Sequence, residues 1–318
     1  MGSETTHTLP IIDFSSSLLK PGTPEWEKLK SQVRKASETY GCFQALFKNI
    51  PQHLQNSMNA AMEDIFSLPI ETKKLNVSEL PFHGYIGSSS KSLYESIGIS
   101  YPDNLHNLHS FTNLMWPQGN INFSEIVHWF SKPLSELDEM IRRMIAESFG
   151  VEKYLDEHLN STYNILRLNK YEAPQTSEKK IGLRDHTDKN TTSILYQNQT
   201  DGLEVQTKDG EWINVKFSPN SFVVIIGESF NVWMNGRLHS PRHRVMMRGK
   251  ETRYSAALFS VPKESYIVKA VEELVDDEHP LQFKHFRYLD YLKLRFSEVD
   301  LNYERPLEDY FGASSCKD

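Results

Sequence analysis

The second half of the chain is dominated by short stretches rich in β-branched and aromatic residues. Seven of them follow one another within about 100 residues, separated by turn sequences such as Gln199–Gly202 and Lys208–Glu211. No helical pattern interrupts the series, so the sequence predicts a sandwich or closed barrel and not an alternating β/α sheet. The predicted strands are Tyr163–Tyr171, Thr192–Gln197, Gly202–Thr207, Trp212–Phe217, Ser221–Gly227, His243–Arg248 and Tyr254–Val261.

Helical patterns precede and follow this series. The first is predicted to have Thr23 as its N-cap and Gly41 as its stop, and the second to begin at Ser131 with Pro133 in its first turn. A third pattern spans residues 285–296. We therefore expect a mainly β fold with flanking helices, in one compact unit. Its predicted regions are a helical N-terminal region at 1–158, a β core at 159–264 and a helical region packed on the core at 265–318.

Composition indicates an ordinary soluble globular protein and argues against nucleic acid as a partner. The chain is 38% hydrophobic and 24% charged, and its net charge of −7 disfavours nucleic acid. No apolar run is long enough to span a membrane, and the N-terminus lacks the apolar core of a secretory signal. Two cysteines cannot form a disulfide framework, so we expect a reducing, cytoplasmic environment.

One spacing in the β region suggests a metal site. His186 and Asp188 are two residues apart, and in a strand such residues share a face. His239 and His243 are candidates for a third ligand, and we favour His243 because it begins a predicted strand. Two histidines and one carboxylate form the facial triad of non-haem Fe(II) oxygenases. The alternative interpretation is a hydrogen-bonded His–Asp pair in a loop.

A second polar set favours the catalytic interpretation. Arg253 and Ser255 are two residues apart, as are Asn169 and Tyr171 on an earlier strand. A buried arginine requires an anion, and its planar guanidinium suits a carboxylate. The pattern indicates a small dicarboxylate co-substrate beside the metal.

These residues lie in segments that resemble the plant 2-oxoglutarate- and Fe(II)-dependent dioxygenases. The resemblance extends over nearly the whole chain, and it is nearest to the branch with glucosinolate side-chain-modifying dioxygenases and related hydroxylases of specialised metabolism. Two departures are "FKN" at 47–49, where the family has "NHG", and "GE" at 227–228, where it has "GD". The matching segments are "LPIIDFS", "YGCFQA", "FSLPIETK", "LRLNKY", "GLRDHTDKN", "GLEVQTKDGEWINV", "NGRLHSPRHRV" and "RYSAALFSVP".

The resemblance implies a distorted double-stranded β-helix, the jelly-roll or cupin-like core of this family. It implies that Fe(II) is held by His186, Asp188 and His243. The distal carboxylate of 2-oxoglutarate would be held by Arg253 and Ser255 together with Tyr171, and Asn169 would also contact 2-oxoglutarate. O₂ would be consumed, ascorbate would support activity, and succinate and CO₂ would be released. Asp188 argues against halogenation, since halogenating relatives lack this carboxylate.

The substrate is expected to be a plant specialised metabolite, hydroxylated by a monomeric enzyme. Desaturation, ring formation and O-demethylation use the same cofactors and stay open. Arg184 or Lys189 could bind a sulfate, and the Ser-rich segment 87–104 is either a lid or an ordinary surface loop. The aromatic candidates for the substrate pocket are Phe259, Tyr85, Phe111, Tyr196 and Phe230.

Two other classes of protein remain open at this point. A zinc hydrolase can use two histidines and an aspartate, with water as the fourth ligand. It has no need of Arg253, Ser255 or the Asn169–Tyr171 pair. A non-catalytic binding protein on the same fold is the other alternative, although it would have no reason to keep an intact set of metal ligands.

Overall fold

The computed structural model describes residues 8–87, 93–297 and 306–313. The strands are β1 (Ile11–Asp13), β2 (Cys42–Leu46), β3 (Tyr94–Ser100), β4 (Thr162–Tyr171), β5 (Thr176–His186), β6 (Thr192–Gln197), β7 (Leu203–Gln206), β8 (Trp212–Asn214), β9 (Ser221–Ile226), β10 (His243–Gly249), β11 (Arg253–Pro262), β12 (Ile267–Val268) and β13 (Phe286–Arg287). The helices are α1 (Pro24–Thr39), α2 (Gln52–Ser67), α3 (Ile70–Lys73), α4 (Leu105–Met115), α5 (Ile121–Ser148), α6 (Leu155–Asn160), α7 (Glu228–Trp233), α8 (Tyr288–Phe296) and α9 (Glu308–Phe311).

Two sheets form the predicted jelly-roll core. The main sheet has the order β1-β2-β9-β6-β11-β4-β3, and the second has the order β5-β10-β7-β8. Apolar side chains from both sheets meet between them, for example Val205 and Ile213 of the second sheet with Val223 and Ile225 of the main one. The predicted sandwich with flanking helices is confirmed.

The opposite face of the main sheet packs on the helices. Leu137 and Ile141 of α5 join one large apolar cluster with Leu166 of β4 and Leu258 of β11. The alternation of side chains along each strand therefore separates a helix-side face from an inner face that looks toward the second sheet. Among the residues that the structure describes, no helix is long and apolar enough to cross a membrane.

Two details at the N-terminal side differ from the sequence prediction. Helix α5 begins at Ile121 and not near Ser131, with Pro133 inside it. Proline in a helix leaves the carbonyl four residues earlier without a donor, and here that residue, Trp129, is largely exposed. Within the segment 87–104, residues Tyr94–Ser100 form β3, and residues 88–92 lie outside the described part.

Three strands from the N-terminal part complete the main sheet. β1 pairs with β2, β2 pairs with β9, and β3 pairs with β4. A boundary at residue 159 thus crosses a continuous hydrogen-bonded sheet. β5 has no counterpart among the predicted strands, because most of its side chains are exposed and its apolar alternation is weak.

Candidate active site

Three potential metal ligands converge at one end of the second sheet. His186 is the last residue of β5 and His243 the first of β10, and the two residues are direct partners in the antiparallel pair. The ligand atoms of His186, Asp188 and His243 all lie within 4.8 Å of one another. Oδ1 of Asp188 is 3.8 Å from Nε2 of His186 and 3.6 Å from Nε2 of His243. These distances match a set of donors around one ion.

The hydrogen bonds of the two rings fit a metal between them. Nδ1–H of His186 donates to the carbonyl of Arg184 at 2.8 Å, and Nδ1–H of His243 donates to that of Pro241 at 3.3 Å. Both Nε2 lone pairs are thereby directed at the space beside Asp188, as in metal-bound histidines. Burial lowers the pKa of His243 to about 4, against the opposing effect of Asp188, which keeps its imidazole neutral.

Asp188 lies beyond the end of β5 and is held by its surroundings. Its Oδ2 accepts a hydrogen bond from Oγ of Ser193 at 2.5 Å. Its carbonyl accepts one from the backbone N–H of Glu228 at 2.8 Å. One carboxylate oxygen therefore has a hydrogen-bond donor from the protein, while the other faces the two histidines.

The buried carboxylate of Glu228 supports the same loop. Its Oε1 accepts from Oγ1 of Thr187 at 2.7 Å, and its Oε2 accepts from the hydroxyl of Tyr291 in α8. The ammonium of Lys189 is 3.5 Å from Oε2 and also donates to the carbonyl and hydroxyl of Thr187. The ammonium of Lys189 thus binds groups of the metal-binding loop and of Glu228.

Arg253 is a buried cation with neutral partners. Its side chain is 1% exposed, and its Nε and Nη2 donate to Oε1 of Gln197 at 3.2 and 2.8 Å. Its Nη1 donates to Oγ of Ser255 at 3.3 Å. Within the described part of the chain, no carboxylate is at ion-pair distance from it. A buried charge left this way is costly, which favours binding of an anion at this position.

The remaining members of this set surround the guanidinium. Arg253 pairs with Tyr171 and Ser255 with Asn169 in the register of β11 and β4, so all four side chains share the inner face. The centre of the guanidinium lies 4.9 Å from the centroid of the Tyr171 ring. Nδ2 of Asn169 donates to Oγ of Ser255 at 3.3 Å. The structure therefore brings together Asn169, Tyr171, Arg253 and Ser255.

Of the five predicted pocket residues, Phe259 lies on this inner face. It is two residues beyond Ala257 on β11 and pairs with Ser193, whose hydroxyl binds Asp188. The structure does not bring the other four to the metal ligands, because they belong to the helix-side core or pack against it. Tyr196, for example, donates to the carbonyl of Gln55. Tyr85, Phe111 and Phe230 have aromatic or carboxylate partners there: Glu95, Phe123 and His158.

Comparison with known proteins agrees with this geometry. Residues 162–262 match the model of the 2OG-Fe(II) oxygenase superfamily, and residues 9–117 match that of the N-terminal domain named for a non-haem dioxygenase in morphine synthesis. A curated relative from Arabidopsis thaliana, the probable 2-oxoglutarate-dependent dioxygenase AOP1.2, is 54% identical over 89% of each chain. The chain belongs to the 2OG-Fe(II) oxygenase superfamily.

Solved structures agree with the family assignment. The rice dioxygenase for auxin oxidation is 31% identical, with a TM-score of 0.77 over 91% of this chain and 95% of that one. Its Arabidopsis thaliana counterpart, in a complex with 2-oxoglutarate, is 28% identical, with a TM-score of 0.75 over 86% of this chain and 100% of that one. The protein is a 2-oxoglutarate-dependent dioxygenase that uses Fe(II), and this decides against the zinc hydrolase.

Three residues around the site were not singled out from the sequence, Arg167, Gln197 and Tyr291, and Glu228 was noted there only as a departure from the family pattern. Arg167 lies two residues before Asn169 on β4, so the alternation of side chains along the strand could have identified it as an inner-face residue. Glu228 and Tyr291 are 63 positions apart in the chain, and no local pattern joins them.

Proposed function

We propose that this dioxygenase hydroxylates a C–H bond of a small plant metabolite that carries an anionic group. The observation that carries the proposal is the inner face of the main sheet. Among the described residues, this face carries two buried arginines with no carboxylate at ion-pair distance, Arg253 and Arg167. It also carries Ser193, whose hydroxyl donates to Asp188.

The chain's own residues have distinct roles in this reaction. We assign His186, Asp188 and His243 to hold Fe(II), which when bound supplies the O₂ chemistry that couples decarboxylation of 2-oxoglutarate to substrate oxidation. Arg253 binds the distal carboxylate, aided by Ser255, Tyr171 and Asn169. These groups fix the co-substrate before reaction, so the protein contributes orientation and a site shielded from water.

Arg167 supports the assignment of substrate charge. It is 7% exposed, its Nη2 donates to Oγ of Ser96 at 2.5 Å, and its Nη1 has no hydrogen-bond partner. No carboxylate among the described residues lies at ion-pair distance from it. As with Arg253, a buried guanidinium of this kind favours an anionic ligand.

The sheet register places Arg167 on the same inner face as Phe259. Arg167 lies opposite Gly98 of β3, which is covered by the backbone carbonyl of His83, and opposite Ala257 of β11, which has a small side chain. Phe259 is the next inward-facing residue after Ala257 on β11, and it pairs with Ser193 of β6. Its ring forms an apolar wall on the inner face. A substrate anchored by its anionic group at Arg167 would extend along Phe259 toward Asp188.

The cations suggested from the sequence are weaker candidates for this role. Lys189 binds Thr187 and lies beside Glu228, so its charge is already used. Arg184 is exposed on β5, where solvent competes with any anion. We therefore assign binding of the substrate's anionic group to Arg167 and not to Lys189 or Arg184.

The test is succinate release from 2-oxoglutarate with Fe(II), O₂ and ascorbate, against anionic plant metabolites and their neutral esters. His243→Ala and Arg253→Ala should abolish substrate-dependent succinate. Arg167→Ala should raise the KM for the anionic substrate about tenfold or more, with the KM for 2-oxoglutarate unchanged. Lys170→Ala, on the other face of β4 and paired with Glu172, is the matched control. Equal turnover of acids and esters would refute the anionic anchor.

The mass of the product identifies the oxidative outcome. Hydroxylation adds an oxygen atom, desaturation and ring formation remove two hydrogens, and O-demethylation releases formaldehyde. We expect hydroxylation of a free small molecule. We also expect the enzyme to be a monomer, to act in the cytoplasm and to have no nucleic-acid partner. Light scattering of the purified protein tests the monomer, since a dimer would double the mass.

A further inference from the structure

The contacts of Glu228 connect the metal loop to a distant helix. Glu228 is 4% exposed, and both its oxygens accept hydrogen bonds from side chains, Thr187 on one and Tyr291 on the other. Thr187 lies between His186 and Asp188, whereas Tyr291 belongs to α8. A single buried carboxylate thus bridges the segment that carries two metal ligands and the C-terminal helix.

Backbone contacts keep Glu228 in a fixed relation to that segment. Its N–H donates to the carbonyl of Asp188 at 2.8 Å. The next residue, Ser229, donates from its N–H to the carbonyl of Asn190 at 3.2 Å and from its hydroxyl to that of Lys189 at 2.5 Å. The start of α7 therefore contacts residues 188–190 from one side, and a backbone hydrogen bond joins Glu228 directly to Asp188.

Tyr291 is fixed independently by the packing of α8. It is fully buried, and its ring lies 4.9 Å from that of Phe286 and 5.5 Å from that of Phe311. These residues share an apolar cluster with Val232 of α7. The hydroxyl of Tyr291 can reach Glu228 only while α8 is docked in this cluster.

We propose that Glu228 and Tyr291 are positioning residues, through which the docked C-terminal helix fixes the metal ligand Asp188. The inference rests on the proposed metal site and extends it to a helix that supplies no ligand. Removing the Tyr291 hydroxyl takes away the hydrogen-bond donor to Oε2 of Glu228 and leaves that buried oxygen with the ammonium of Lys189 at 3.5 Å, a longer and weaker contact. Glu228 and Thr187 would then shift to recover a partner, and the geometry around Asp188 would loosen. Hydrogen-bond partners behind a metal ligand typically contribute about 10- to 100-fold to metal affinity.

Tyr291→Phe tests this with Mn(II), a divalent ion that does not oxidise during titration. We expect the Kd for Mn(II) to rise about tenfold or more, while it stays unchanged in Tyr154→Phe. Tyr154 is a matched control, because its hydroxyl donates to the carboxylate of Glu273 at 2.7 Å on the exposed surface. Equal Mn(II) affinity in the two variants would overturn the inference.

A second measurement separates positioning from simple loss of stability. Mn(II) raises the Tm of the protein by an amount that depends on the affinity for the metal. We expect this rise to be smaller in Tyr291→Phe than in a control variant that lowers the metal-free Tm by the same amount. Thr187→Val removes the other donor to Glu228. If both act through Glu228, the double variant should lose less affinity than the product of the two single losses. Strict additivity would contradict a shared route.

The controls also distinguish this inference from the proposed function. If wild-type protein and His243→Ala bind Mn(II) alike, the proposed metal site itself fails. If His243→Ala abolishes binding but Tyr291→Phe does not weaken it, the metal site stands and the positioning role is refuted.

Discussion

Replacing Arg253 by lysine should separate geometry from charge in the 2-oxoglutarate site. A guanidinium has five N–H groups, and the hydrogen bonds to Gln197 and Ser255 occupy three of them. The hydroxyl of Tyr171 also lies within hydrogen-bond reach of the guanidinium. The N–H groups left on Nη1 and Nη2 can bind a carboxylate in a two-point contact. Lysine retains the positive charge, but it cannot serve Gln197 and offer two parallel donors at once.

The expected magnitude follows from this count. Loss of one hydrogen bond to a charged group costs about 1.5–3 kcal/mol. We therefore expect the KM for 2-oxoglutarate to rise roughly 10- to 150-fold in Arg253→Lys, since each 1.4 kcal/mol is a factor of about ten. The kcat at saturating 2-oxoglutarate should change much less, because the contact is remote from the oxidised C–H bond.

Succinate release at varied 2-oxoglutarate and fixed substrate measures both quantities. Arg287→Lys is a suitable control, since Arg287 is an exposed residue paired with Asp290 at 2.6 Å. A KM within twofold of wild type in Arg253→Lys would refute the two-point contact. A collapse of kcat with an unchanged KM would instead place Arg253 in the chemical step.

Two further predictions concern the apolar wall and acid stability. Phe259→Ala should raise the KM for the organic substrate several-fold while the KM for 2-oxoglutarate stays constant, and parallel changes in both would place Phe259 outside the substrate pocket. Burial lowers the pKa of His239 to about 4 and that of His158 well below its usual 6.5, the latter with both ring nitrogens unbonded. Below pH 6.5 these two histidines become protonated in the unfolded chain but stay neutral in the folded chain. The free energy of unfolding therefore falls by about 1.4 kcal/mol per pH unit for each histidine. Denaturant titrations between pH 7 and 5 should show a shallower slope in His158→Phe, and an identical slope would contradict it.

The sequence predicted the inner-face pairs but not how they meet. Period-two spacing placed Arg253 with Ser255 and Asn169 with Tyr171, and each pair does share a face. That β4 and β11 are neighbours depends on pairing between residues at positions such as 171 and 253 or 162 and 262, which are far apart in the chain and which local patterns do not encode. Tyr196 illustrates the same difficulty at one position. It is adjacent to Gln197, which contacts Arg253, yet alternation turns its ring to the helix side.

Proline and polar strands account for other differences. Pro133 is typical of a first helical turn, but α5 extends twelve residues before it because Phe123, Val127 and Phe130 bury an apolar face against the core. β5 carries few apolar residues and was not predicted, although it ends at a metal ligand. In both cases tertiary packing overrides the local signal.

The balance of charge gives the proposed substrate a further constraint. Asp188 contributes one negative charge to the inner face, and Arg253 and Arg167 contribute two positive ones. Fe(II) adds two more positive charges, and the dianion 2-oxoglutarate then neutralises two of the remaining three. One positive charge is left, located at Arg167, where a low-dielectric environment makes an unpaired charge expensive. A substrate with a single anionic group completes the neutralisation, whereas a neutral substrate leaves Arg167 uncompensated and a dianion introduces an excess. The two buried arginines therefore favour monoanions over both alternatives by the same physical argument that assigns each of them to a ligand.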